Sequence, residues 1–179
     1  MSYKKLMASI EERVETLVKP KIEELGYELY DVQYVKEASN YFLRIYIEKK
    51  DGIIDLNDCE TVNNGINNLL DTADYIKEQY FLEVSSTGLE KVLRKDKHLK
   101  EQIGNEIEIK LFKPVGPQNL EETAQNVKKA KKDNKTKELI GILKDFNKEE
   151  IIIQIGKAVI NVDRKNISVI KTVYNWDEI

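Results

Sequence analysis

Leu6, Ile10, Val14 and Leu17 recur at intervals of four, four and three residues, with Glu11, Glu12, Arg13 and Glu15 between them. That spacing lays one apolar stripe along an amphipathic helix. Ile22 and Leu25 prolong the stripe past Pro20, which marks an interruption or restart, and Gly26 is a C-terminal stop. The period then changes. In YELYDVQYV, Tyr30, Val32 and Tyr34 share one face; in YFLRIYIEK, Leu43, Ile45 and Ile47 alternate with Phe42, Arg44, Tyr46 and Glu48. Two strands are predicted, and the short polar link KEASN makes them a hairpin. After the turn DGIID comes a second helix, with Asn57 and Glu60 as an asparagine form of the capping box. Cys59, Val62, Ile66 and Leu69 or Leu70 make its buried stripe, and QYFLEVSS adds a third strand. The order α-β-β-α-β predicts a two-layer sandwich with both helices on one face of a small sheet.

Further along, the periodicity belongs to strands alone. Ile107, Ile109 and Leu111 alternate inward in EIEIKLF, Ile140 and Ile142 share a face in KELIGILKDF, and EIIIQI, AVINV and ISVIKTVY follow across short turns. Five short strands predict a small barrel, since closure removes sheet edges, with Gly141 supplying a bend. The expected class is α+β. The expected domains are the sandwich over 1–88, a basic linker and short helix over 89–104, and a β-barrel over 105–179 with a Lys-rich inserted loop at 114–137. That loop exceeds the ~12–15 residues of an ordinary connection.

Charge separates the two halves. The net charge is −3, but residues 1–88 hold 10 Lys+Arg against 17 Asp+Glu, a balance of −7, and residues 89–179 hold 19 against 15, a balance of +4. The second half is the better suited to approach a polyanion. Lys91, Arg94, Lys95, Lys97 and Lys100 surround Asp96, and the segment 128–137 carries six lysines, Lys128, Lys129, Lys131 and Lys132 among them, against one aspartate. Such clusters neutralise phosphates and release counterions, giving salt-dependent affinity with little sequence preference. The competing reading is a solvated helix face and a solubilising loop. With no RNP aromatic signature, GxxG clamp or zinc knuckle beside them, base-specific RNA reading is not supported.

Composition narrows the classes further. At 41% hydrophobic and 34% charged residues, the chain has the balance of a folded protein with a highly charged surface. No apolar run approaches the ~20 residues that span a bilayer, and the first residues lack a signal-peptide core, so a soluble protein is expected. Cys59 is the single cysteine, which excludes an internal disulfide and fits a reducing cytoplasm.

The stretch LEVSSTGLEK is the best candidate for chemistry. A nucleophilic Ser85 or Ser86 needs a base, yet His98, the only histidine, sits in a lysine-rich run and no G-x-S-x-G elbow is present. A phosphate-gripping loop needs several glycines or a Lys-Ser/Thr pair, and this one has Gly88 alone. Asp51, Asp55 and Asp58 miss the calcium-loop spacing and are accounted for by turn formation and the helix dipole. Cys59 reads as a small core residue and His98 as an exposed neighbour of the basic run. No catalytic, cofactor or metal residue is expected, and Ser85, Ser86, Thr87 and Gly88 read as an interdomain turn.

In order, LGYELYDVQYV, FLRIYIEK, DLNDCETVNNGINNLLD, LEVSSTGLEK, VLRKDKHLKEQIGNEIEIKL and GILKDF cover nearly the whole chain. Together they resemble the bacterial ribosome maturation factor RimP family. The resemblance implies a KH-like relative as the N-terminal sandwich and an Sm/SH3-like C-terminal barrel. It implies a non-enzymatic cytoplasmic factor for maturation of the small (30S) ribosomal subunit. Such a factor binds the immature particle with its 16S rRNA and a basic small-subunit ribosomal protein near the decoding centre, the latter through the barrel. A monomer with no cofactor, membrane or small-molecule substrate is expected. The open alternative is a general Sm/KH-like RNA-binding module acting on non-ribosomal RNA. The chain departs from the family in having Thr87 and Val92 where prolines are usual, which implies a less stiff connection, and in its longer loop at 114–137.

Overall fold

The computed structural model describes residues 9–115 and 136–174, and the chain divides into two units, Met1–Thr87 and Gly88–Ile179. No described helix is long and apolar enough to cross a membrane.

The first unit runs α1 (Ile10–Glu24), β1 (Glu28–Glu37), β2 (Asn40–Glu48), α2 (Leu56–Ala73) and β3 (Tyr80–Ser86). Ser9 opens α1 with a capping box, its hydroxyl accepting from the Glu12 N–H and its own N–H donating to the Glu12 carboxylate. Pro20 does not end the helix. Val14, Val18 and Ile22 form one fully buried stripe on both sides of it, and that burial outweighs the single backbone hydrogen bond a proline removes. Gly26 closes the helix at φ +89°, a conformation glycine takes without a Cβ clash.

The sheet order is β1-β2-β3, with β1 antiparallel and β3 parallel to β2, so α2 is the crossover helix that a parallel pair requires. Both helices pack on one face, where Val62, Ile66 and Leu70 of α2 meet Leu43, Ile45 and Ile47 of β2. Leu70 rather than Leu69 completes the α2 stripe, and Cys59 is only half-buried at its margin. A register shift between Leu29 and Asp31 inserts Tyr30 as an extra residue. Leu29, Val32 and Tyr34 therefore face the core, and Tyr30 does not belong to that set.

The cap of α2 also differs from expectation. The helix starts at Leu56, so Asn57 lies inside it. The reciprocal box joins Asp55 and Asp58, each carboxylate accepting the other's backbone N–H at 2.9 and 2.8 Å. Asp58, 8% exposed, also accepts from the Tyr27 hydroxyl at 2.8 Å and pairs with Lys49 at 2.5 Å. The Asp55 N–H and the Lys49 ammonium hold its carboxyl down to about 2, from an ordinary 3.8. A lowered folded value means that this contribution is complete above pH 3.8 and is lost as pH falls through about 2. The urea midpoint of the wild-type first unit should therefore fall more steeply across that interval than that of Asp58→Asn. Parallel pH curves for the two proteins would refute the assignment.

The second unit holds α3 (Asp96–Glu101), β4 (Glu106–Val115), β5 (Thr136–Phe146), β6 (Glu150–Ile155), β7 (Ala158–Asp163), a 3₁₀ turn (Arg164–Asn166) and β8 (Ile167–Thr172). The strands form one antiparallel sheet in the order β7-β6-β5-β4-β8. Ile107, Ile109, Leu111, Leu139, Leu143, Ile151 and Ile153 point into a single core, joined by Ile160 and Val162 from one edge and Ile170 from the other. Ile140 and Ile142 do share a face, but it is the outer one, because Leu139, Gly141 and Leu143 take the inward positions of β5.

The expected barrel closure is absent among the described residues: no ladder joins β7 to β8. The far side of β8 is already taken. Val92 bridges Lys171, the Leu93 N–H donates to the Ile170 carbonyl at 2.9 Å, and the Thr172 N–H donates to the Lys91 carbonyl at 3.0 Å. The sheet curls around its core while its last strand is covered by the segment leading into α3.

Candidate nucleic-acid interface

The basic run 91–100 folds onto the second unit rather than standing apart as a linker. Leu93 and Leu99 enter its core, and His98 is buried with 1% exposure. This corrects the expectation of an exposed histidine. His98 Nδ1 accepts the backbone N–H groups of Arg94 and Lys95, each at 3.3 Å. The ring thus satisfies two donors ahead of α3 that a buried turn would otherwise strand. Its role is to shape the backbone that carries the cations.

With the apolar side chains turned inward, the cations are left outward. Arg94, Lys97 and Lys100, three residues apart, are exposed, while Lys91 and Lys95 are half-buried. Lys91 is fixed through its backbone, its N–H donating to the Thr172 hydroxyl at 2.8 Å. Asp96, the acidic residue among them, is taken up by Arg164, whose Nη2 donates to Asp96 Oδ1 at 2.7 Å while the guanidinium lies 5.6 Å from the centre of the Phe146 ring.

That contact adds residues the sequence did not reveal. Arg164 and its neighbour Lys165 belong to the 3₁₀ turn, 68 residues along the chain from Asp96, and in the sequence DRKN reads only as a polar turn. The turn is pinned where the Asp163 carboxylate accepts the Lys165 N–H at 2.8 Å. The result is a cationic surface of α3 and the turn, with Asp96 largely neutralised in its middle. Cations on short, anchored elements suit repeated phosphates, since contacts to a phosphate backbone depend on charge and spacing rather than on base identity. Lys128, Lys129, Lys131 and Lys132 lie outside the described residues.

The stretch 85–88 is also placed differently. Ser85 and Ser86 are strand residues, paired with Tyr46 and Ile47 of β2, because the parallel ladder runs to the last residue of β3 before the chain leaves the sheet. Only Thr87 and Gly88 remain for the turn. The Thr87 hydroxyl donates to Glu48 Oε1 at 2.8 Å, and Gly88 stands at φ +74°, where a side chain is disfavoured. Ser85 Oγ donates to the Ser86 carbonyl at 3.2 Å. Asp55 and Asp58 are bound up in the α2 cap and the Lys49 pair.

The α-β-β-α-β order of the first unit and its hairpin are those the periodicity predicts, and the structure adds that the third strand runs parallel to β2. Residues 17–90 match the family model of the RimP N-terminal domain, so most of the first unit is similar to the N-terminal domain of a family of ribosome maturation factors.

Proposed function

We propose that this chain acts without catalysis in assembly of the small (30S) ribosomal subunit, binding the immature particle in the cytoplasm as a monomer. The observation that carries the reading is the match of residues 17–90 to the RimP N-terminal domain. Phosphates of 16S rRNA are contacted by Lys91, Arg94, Lys95, Lys97 and Lys100, extended by Arg164 and Lys165, with Lys128, Lys129, Lys131 and Lys132 as a second basic element. The second unit, read as an Sm/SH3-like barrel, engages a basic small-subunit ribosomal protein near the decoding centre. Five antiparallel strands sharing one core favour that reading. The factor works by differential binding: it favours an immature conformation of the particle and leaves when that surface is remodelled.

Sedimentation of cell lysate tests this. The factor should co-migrate with free small subunits and be missing from translating ribosomes. Presence in all fractions, or only on non-ribosomal RNA, would overturn it in favour of a general RNA-binding module.

A further inference from the structure

We infer that the helix-free face of the first unit's sheet, at its Phe81 end, is a docking surface for a cationic segment of a partner protein, one that presents arginine or lysine beside apolar side chains. Both helices pack on the opposite face, and among the described residues the outward side is buried at Asp31 but open at the other end, where Phe81 and Glu83 are exposed. Across the end of the sheet where β3 begins, Val35, Phe42 and Phe81 stand in register, one from each strand. The two phenylalanine rings stack with centroids 5.5 Å apart and 28° between planes. Phe81, on the edge strand, is 53% exposed.

In the next row Arg44 lies between carboxylates. Its Nη1 and Nη2 donate to both oxygens of Glu37 at 2.7 and 3.0 Å, and its Nε donates to Glu83 Oε2 at 2.6 Å. The guanidinium sits 5.1 Å from the centre of the Phe42 ring. The face therefore already holds one cation by ring and carboxylate together. What it leaves open is the surface of Phe81, the lone pairs of Glu37 and Glu83, and an apolar strip running to Val35.

Exposed stacked rings on a sheet also suit unpaired bases, but a base-stacking surface comes with cations that follow the phosphates. Here Arg44 is outnumbered by Glu37 and Glu83, and residues 1–88 as a whole carry −7. Phosphate would be repelled, whereas a guanidinium or ammonium gains from both the carboxylates and the ring faces. Charge complementarity thus selects the cationic segment. This surface belongs to the first unit and the cationic one to the second, and it stands whether or not the ribosomal reading holds.

The test follows backbone amide signals of the full chain while a short peptide of alternating arginine and leucine is added, with alternating glutamate and leucine, and oligouridylate, as comparisons. The arginine peptide should shift the amides of Val35, Phe42 and Phe81, and Phe81→Ala should weaken its binding about tenfold with the remaining signals in place. Glu83→Gln gives a second variant that leaves both rings intact and should also weaken binding. Shifts at these amides with oligouridylate and not with the arginine peptide would overturn the inference in favour of a base-stacking platform. Shifts that grow with protein concentration alone would overturn it in favour of self-association. No shift with any probe would show that nothing of this class docks there.

Discussion

Replacing Gly141 with alanine should destabilise the second unit by about 3 kcal/mol, at the upper end of what overpacking of a filled core costs. A Cβ at this position would lie 2.6 Å from the Gln154 carbonyl oxygen and 2.9 Å from Ile155 Cγ1. The nearer atom is backbone, so relief requires β6 to move. β6 is held by the pairing of Ile142 with Gln154 on one side and by its full ladder with β7 on the other. On the opposite side Gly141 pairs with Ile107 of β4, a fully buried residue. Hence the methyl group cannot be absorbed by a side-chain rotation. Chemical denaturation followed at amides of β5 and β6 should show the midpoint moving to lower denaturant, with valine worse than alanine. Signals from Leu43 and Ile45 should keep theirs, since they belong to the separate core of the first unit. Superimposable denaturation curves for Gly141→Ala and wild type would refute this account.

The second large effect concerns binding. Changing Arg94, Lys97 and Lys100 together to glutamine should lower affinity for the immature particle on the order of tens-fold at about 0.1 M salt, and should flatten the slope of log affinity against log salt by about 2. The three side chains point outward, and the anchoring residues Leu93, His98 and Leu99 are untouched. Asp96 keeps its partner Arg164. The fold should survive, which separates a loss of binding from a loss of structure. Neutralising Lys128, Lys129, Lys131 and Lys132 should lower affinity further and flatten the slope again. An unchanged slope in the first variant would remove α3 from the interface. An unchanged slope in the second would leave the inserted segment as a solubilising one.

The elements were legible in the sequence wherever one periodicity persisted. The stripe Val14, Val18, Ile22 and the alternation Leu43, Ile45, Ile47 each name a buried face without help from distant contacts. Errors arose where a single residue breaks the count. Tyr30 looked like part of an alternating set because a bulge leaves no mark in the sequence, and the shared face of Ile140 and Ile142 is present but is the outer one, since Gly141 between them holds an inward position. Competing signals misplaced the α2 cap: Asn57 with Glu60 and Asp55 with Asp58 both fit the pattern, and Tyr27 and Lys49 favour the second from far along the chain. The cationic surface was half legible. Its α3 part is a local run of charge, whereas Arg164 and Lys165 reach it only through the fold. His98 was misread because its partners are backbone donors, which no residue type announces.

The edge of β8 has a consequence for the order of events during synthesis. Lys91 to Leu93, at the start of the second unit, are hydrogen-bonded to Ile170 and Thr172 at its end. At ~5–20 residues per second, the first unit has all of its strands in hand while most of the second is still to be made. The second cannot close its outermost pairing until Thr172 has been added. The acidic unit is thus the first to be finished in a nascent chain, and the basic run completes its anchoring to β8 only after Thr172 has been added.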